Sequence, residues 1–117
     1  MGTQRPTAPE RLRRRADFLR VSAYGRRVAV HGLVLQALNR DDGRPARVGF
    51  TVTKKVGNAV MRNRIRRRLK EATRLVLRQR PITGIDLVLI GRAATKNRVF
   101  AELVGDLGRA LDKAGVP

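Results

Sequence analysis

Lys54-Lys55-Val56-Gly57-Asn58-Ala59-Val60-Met61-Arg62-Asn63-Arg64-Ile65-Arg66-Arg67-Arg68-Leu69-Lys70-Glu71-Ala72-Thr73-Arg74 is the stretch on which the reading of the fold turns. Nine of these 21 residues are basic and Glu71 alone is acidic. Met61, Ile65, Leu69, Ala72 and Val76 recur at spacings of 4, 4, 3 and 4, which predicts one long helix over residues 58–78 with a narrow apolar stripe. At about 100° per residue the stripe covers roughly 80° of the helix surface. Arg62 stands beside it. Arg66, Lys70, Arg74 and Arg67 follow around one flank with Asn63 among them, Arg68 borders the stripe on the other side, and Arg64 points away. A solvated face ordinarily mixes signs and gains i,i+4 ion pairs. This one stacks like charges at i,i+4 through Arg62, Arg66, Lys70 and Arg74 and so destabilises the isolated helix. A partner carrying negative charge removes that cost. Guanidinium forks match phosphate oxygens, and the helix N-terminus, entered through Lys54 and Lys55, adds its own preference for anions.

Working outward, Pro81 and Gly84 end the helix, and Ile85–Ile90 is almost continuously apolar, the mark of a strand buried on both faces. Phe100, Leu103, Val104, Leu107 and Leu111 predict a last amphipathic helix, with Asn97 as its cap. On the other side, Val48, Phe50 and Val52 alternate with Gly49, Thr51 and Thr53, giving a strand with one apolar and one small polar face. Residues 28–38 read as strand interrupted at Gly32, and Asp41-Asp42-Gly43 as a turn, so residues 28–53 form a hairpin or meander. Leu12, Ala16, Leu19 and Ala23 predict a first helix over residues 14–24, stopped by Gly25. Residues 1–10 lack an apolar period and read as a tail. The fold class is α+β, a single domain over residues 11–115 with three helices and a mainly antiparallel sheet of about four strands.

Composition sets the function class. Lys and Arg total 27 against 9 Asp and Glu in 117 residues, a formal charge of +18. Such self-repulsion points to a polyanionic partner, and nucleic acid is the usual one. No apolar run reaches the roughly 18 residues of a membrane span, and no apolar signal segment opens the chain, so a cytoplasmic protein without a membrane partner is expected. There is no cysteine, hence no disulfide, thiolate metal site or cysteine nucleophile. His31 is the only histidine, Ser22 the only serine with no base near it in sequence, Asp41 and Asp42 belong to a turn, and Asp86 reads as a paired residue at a strand start. No catalytic side chains and no metal ligands are predicted.

The run Lys54–Arg67, with Arg62-Asn63-Arg64 at its centre, closely resembles the signature of bacterial ribonuclease P proteins. The resemblance extends to Arg11-Leu12-Arg13, to Asp17-Phe18 and Gly25, and to Arg47-Val48-Gly49-Phe50-Thr51-Val52, spanning roughly residues 11–92. It implies an α+β domain like the second domain of a small-subunit ribosomal protein, with the basic helix in a left-handed βαβ crossover, against the usual right-handed rule. It implies that Lys54, Lys55, Asn58, Arg62, Asn63, Arg64, Arg66, Arg67 and Lys70 contact a catalytic RNA subunit. It also implies that a cleft between the first helix and the sheet receives the single-stranded 5′ leader of precursor tRNA. Phe18 stands at the family's aromatic position there, with Thr51 and Thr53 on the polar strand face. Ser22 and Gln36 occupy positions where relatives often carry aromatics, which leaves more of the work to hydrogen bonds and charge, with Tyr24 a possible substitute. A lone aromatic on an amphipathic helix also commonly packs inward, and that is the other reading of Phe18. The RNA, with Mg2+ acting through it, would perform the hydrolysis. No cofactor is expected on the protein alone and no protein partner is required. There are three rivals: a structural ribosomal protein, which shares size and charge and which the motif at 54–67 separates; a DNA regulator, whose recognition helix would need more varied base-reading side chains; and a protein-only nuclease, for which the sequence lacks an acidic cluster to hold metal.

Overall fold

A computed structural model describes residues 8–117; most of the expected tail, residues 1–7, lies outside the described residues. In chain order the elements are β1 (Glu10–Arg11), α1 (Arg15–Tyr24), β2 (Arg26–Ala29), β3 (Leu33–Asn39), β4 (Arg47–Thr51), α2 (Ala59–Gln79), β5 (Ile85–Gly91) and α3 (Phe100–Lys113). Short 3-10 turns, Lys54–Val56 and Ala93–Lys96, precede α2 and α3.

The sheet runs β1-β4-β5-β3-β2. β1–β4 and β4–β5 are parallel, and β5–β3 and β3–β2 antiparallel. It is therefore a five-stranded mixed sheet rather than a four-stranded, mainly antiparallel one. Two features account for the difference. The apolar run of β5 takes the centre, between β3 and β4, where both its faces are covered. Only β2 and β3 then remain a hairpin, and α2 becomes the crossover between parallel neighbours β4 and β5. The fifth strand begins at Glu10, inside the expected tail. Its amide donates to the Ala46 carbonyl at 2.7 Å and that of Leu12 to Val48 at 2.9 Å. A two-residue edge strand held by its main chain needs no apolar period.

The pleat divides the core. Leu33, Leu35, Ala37, Val48, Leu87 and Leu89 face α2 and α3 in the larger cluster. Val88 faces the other way, packing with Leu12 and with Val21 of α1, and Phe18, Leu38 and Ile90 close on them. Ile65, Leu69 and Ala72 of the predicted stripe are fully buried. Toward its C-terminal end the buried arc of α2 widens: Val76 is half-buried beside Val104 of α3, while Thr73 and Leu77 go inside. The Thr73 hydroxyl is satisfied by the Leu69 carbonyl at 2.7 Å.

Asn58 caps α2, its Oδ1 accepting from the Met61 amide at 2.9 Å. Asn97 does not cap α3; it ends the preceding 3-10 turn, and Val99 takes the cap position without a side-chain hydrogen bond. His31 lies exposed in the connection between β2 and β3, outside both strands. The turn at Asp41 is present, with that residue at φ 58°, in the left-handed region that Asp tolerates.

Asp86 is paired, as its position in β5 suggests. It is 1% exposed. Its Oδ1 accepts from Arg40 Nη1 at 2.5 Å and Arg47 Nε at 2.8 Å, and its Oδ2 from Arg47 Nη2 at 2.6 Å. Burial alone would raise the carboxyl's pKa, but the hydrogen bonds from Arg47 and Arg40 outweigh it and hold the group below the ordinary carboxylate value.

Candidate nucleic-acid interface

The basic segment does not offer its charges equally. Lys54 and Lys55 are exposed on the 3-10 turn, and Asn63, Arg64, Arg67 and Lys70 are exposed on α2. Among the described residues none of these cations forms an ion pair. Arg66 is half-buried and its Nη1 donates to the Asn63 Oδ1 at 3.0 Å, which ties two residues of the motif together. Arg62 is also half-buried, and its Nε is enclosed without an acceptor. Its stem thus packs beside the apolar stripe, as its position predicts, and one donor stays unmet.

Two cations of the predicted ridge are occupied within the chain. Arg74 donates to Glu71 at 2.6 and 3.1 Å. Arg68, on the other border of the stripe, donates to the carbonyls of Lys96, at 2.7 Å, and Arg98. It fastens α2 to the turn before α3, and burial, then the charge of Arg64, lowers its pKa. The side-chain oxygen of Asn58 is likewise engaged as a helix cap.

Phe18 and the basic helix meet at one cleft of about 370 Å3, lined by Arg11, Arg13, Phe18, Gly49, Phe50, Arg66 and Lys70 with Leu12 and Val48. Its charged lining is wholly cationic. The floor is Gly49, and only glycine fits there: a Cβ would lie 2.5 Å from ring carbons of Phe18. The ring is half-buried, so it both packs on the strand and borders the opening.

The structure does not bring Thr51 and Thr53 into that cleft. Thr51 is half-buried on the same face of β4, two residues beyond Gly49, and Thr53 is exposed past the strand end. Gln36 is buried to 7% exposure on β3, in line with Val88 and Gly49, and Ser22 is exposed. Tyr24 is 78% exposed and borders a separate groove with Arg26 and Asn39. Sequence reading missed Arg11, Arg13 and Phe50 as cleft residues. The arginine run before α1 was a signal for the first two; nothing local marks Phe50, whose neighbours in the cleft come from distant segments.

Asp17, Asp42 and Asp86 come near one another, but arginines hold all three. No group of three or more His, Asp or Glu among the described residues could hold a metal ion, and none of the described helices is long and apolar enough to cross a membrane.

A family model described as ribonuclease P matches residues 7–115. The ribonuclease P protein component of Gluconacetobacter diazotrophicus is 67% identical over 106 residues, covering 91% of each chain. That of Paramagnetospirillum magneticum is 49% identical over 113 residues, covering 91% of this chain and 83% of the relative. Among solved structures, the RNase P protein of Staphylococcus aureus superposes with a TM-score of 0.76 at 31% identity, covering 91% of this chain and 95% of the other. The Thermotoga maritima protein gives 0.69 at 28% identity, covering 89% and 96%. Sequence, fold and the basic motif agree: the chain belongs to the ribonuclease P protein family, the protein subunits of the endoribonuclease that matures the 5′ end of tRNA.

Proposed function

We propose that this chain binds the catalytic RNA of ribonuclease P through its basic helix and the 5′ leader of precursor tRNA through the cleft beside Phe18, in the cytoplasm. The observation that carries the reading is the composition of that cleft. Phe18, a second aromatic at Phe50 and four cations, Arg11, Arg13, Arg66 and Lys70, line a single opening with no acidic residue among them. A single strand presents bases and phosphates together, and this wall meets both: the ring edge for a base, the cations for the backbone. Both surfaces lie on the domain over residues 11–115.

The RNA-facing set is Lys54, Lys55, Asn58, Arg62, Asn63, Arg64, Arg66, Arg67 and Lys70. The exposed cations supply phosphate contacts, while Arg62, its stem packed beside the apolar stripe and its Nε enclosed, offers the rest of its guanidinium fork from a fixed point. Arg66 and Lys70 border the leader cleft as well, so the RNA subunit and the leader approach adjoining faces of one helix. Thr51 extends the leader path along the sheet face, and Thr53 carries it toward Lys54.

Magnesium acts through the RNA in this reading. The carboxylates that gather in this chain are engaged by arginine and do not fit the ion. The protein holds the substrate and offsets phosphate charge, and the RNA performs the hydrolysis. The test is precursor-tRNA cleavage at physiological magnesium with the cognate RNA, with and without this protein. Addition should restore cleavage, more strongly for substrates with a leader of several nucleotides. Cleavage by the protein without RNA, or no gain on its addition, would sink the reading.

A further inference from the structure

We propose that Asp17, acting through Arg47, is a positioning residue that sets where Phe18 sits in the leader cleft; the inference rests on the reading of that cleft given above. α1 has little of its own to hold it in place. It is ten residues long, too short to persist alone in water, and its cap residue, Arg14, makes no side-chain cap bond. Arg13, Arg14, Arg15 and Arg20 crowd like charges onto it and its approach, and Asp17 is its only acid. Val21 is its one fully buried side chain. Tertiary contacts therefore place it: Val21 in the small core, Phe18 on Gly49, and Asp17 on Arg47.

Arg47 is built to be a fixed post. Its Nε and Nη2 reach both oxygens of Asp86 at 2.8 and 2.6 Å, a bidentate fork onto the central strand. Arg40 holds the same carboxylate from the other side at 2.5 Å. With the fork locked, the remaining nitrogen, Nη1, faces Asp17 Oδ2 at 3.4 Å. Arg47 and Gly49 lie on the same face of β4, two residues apart. Asp17 and Phe18 are consecutive on α1. The ion pair and the ring contact thus join the same two elements side by side, and the first fixes the approach of the first turn of α1 over the floor on which the second rests. Asp17 itself opens into a neighbouring hollow with Arg20, Arg40 and Arg47 rather than into the leader cleft. Its influence on a leader passes through Phe18.

The experiment measures holoenzyme affinity for precursor tRNA with a leader of several nucleotides, and for mature tRNA, using D17N, F18A and the double variant. D17N should weaken binding of the leader-bearing substrate roughly two- to fivefold, the range of a partly exposed ion pair. Binding of mature tRNA and the cleavage rate at saturating substrate should not change, and D17E should restore the loss. In the F18A background D17N should add nothing, since the ring through which it acts is gone. Losses from D17N and F18A that multiply, or a D17N loss equal for both substrates, would overturn the inference while leaving the cleft reading intact. An F18A variant that binds both substrates as the parent does would overturn the cleft reading itself.

Discussion

Asp86→Asn keeps the shape of the side chain and removes the charge at the centre of the sheet. Asp86 is 1% exposed and its partner Arg40 8%, while Arg47 is 26% exposed. Three donors reach its two oxygens at 2.5, 2.6 and 2.8 Å. An amide offers one oxygen and an NH2, so the Arg47 fork would meet a donor, and two guanidinium groups would lose their shared counter-charge. Removing one partner of a buried pair costs about 3–5 kcal/mol. At about 4 °C per kcal/mol for a domain of this size, the melting temperature should fall by about 12–20 °C. Thermal and urea melts of the free protein read this directly, with an unchanged urea slope showing that the folded state stays compact. The pH dependence gives a second check. The folded pKa of Asp86 lies below its unfolded value, so its contribution is complete above the unfolded carboxylate range and is lost as pH falls through the folded value. Parent and variant should differ fully at neutral pH; the difference should begin to shrink only near the unfolded carboxylate value, about pH 4, and vanish only once pH has fallen through the lower folded value. A loss under about 1 kcal/mol at neutral pH, or a difference that persists unchanged into acid, would refute the account of Asp86 as the paired anchor of this sheet.

Other outcomes follow from the same contacts. Arg62→Lys should impair assembly with the RNA subunit more than Arg74→Lys, because lysine keeps the charge but loses the fork that the packed stem of Arg62 holds in place, while Arg74 is already engaged by Glu71; equal effects in a binding titration would mean that only net charge counts. If about five cations of residues 54–70 meet phosphates, log K against log salt should have a slope near −4, at roughly 0.7–0.9 per contact, and Lys70→Ala should flatten it by about one contact. An affinity indifferent to salt would contradict that.

Much of this chain is legible from its sequence because helical order is local. The stripe through Ile65, Leu69 and Ala72 and the charge flanking it are facts of spacing, and α2 falls at Ala59–Gln79 against a predicted 58–78. The first helix likewise begins and ends where its apolar period and Gly25 indicate. The motif at 54–67 pointed to the family, and the apolar run at 85–90 to a buried strand. Strand order was not legible. β5 enters between β3 and β4 through pairings that join residues 39–58 positions apart, such as Arg47 with Asp86 and Leu33 with Gly91, and alternation within a strand does not name its neighbour. β1 has no pattern to read, because its main chain alone makes the bonds. The fate of each cation was equally hidden. Arg66, Arg68 and Arg74 look alike in sequence, yet one borders a cleft, one fastens two elements and one is engaged by a glutamate. Periodicity tells which way a side chain leaves its own helix; what it meets depends on segments brought close only by folding, and that the tertiary structure alone decided.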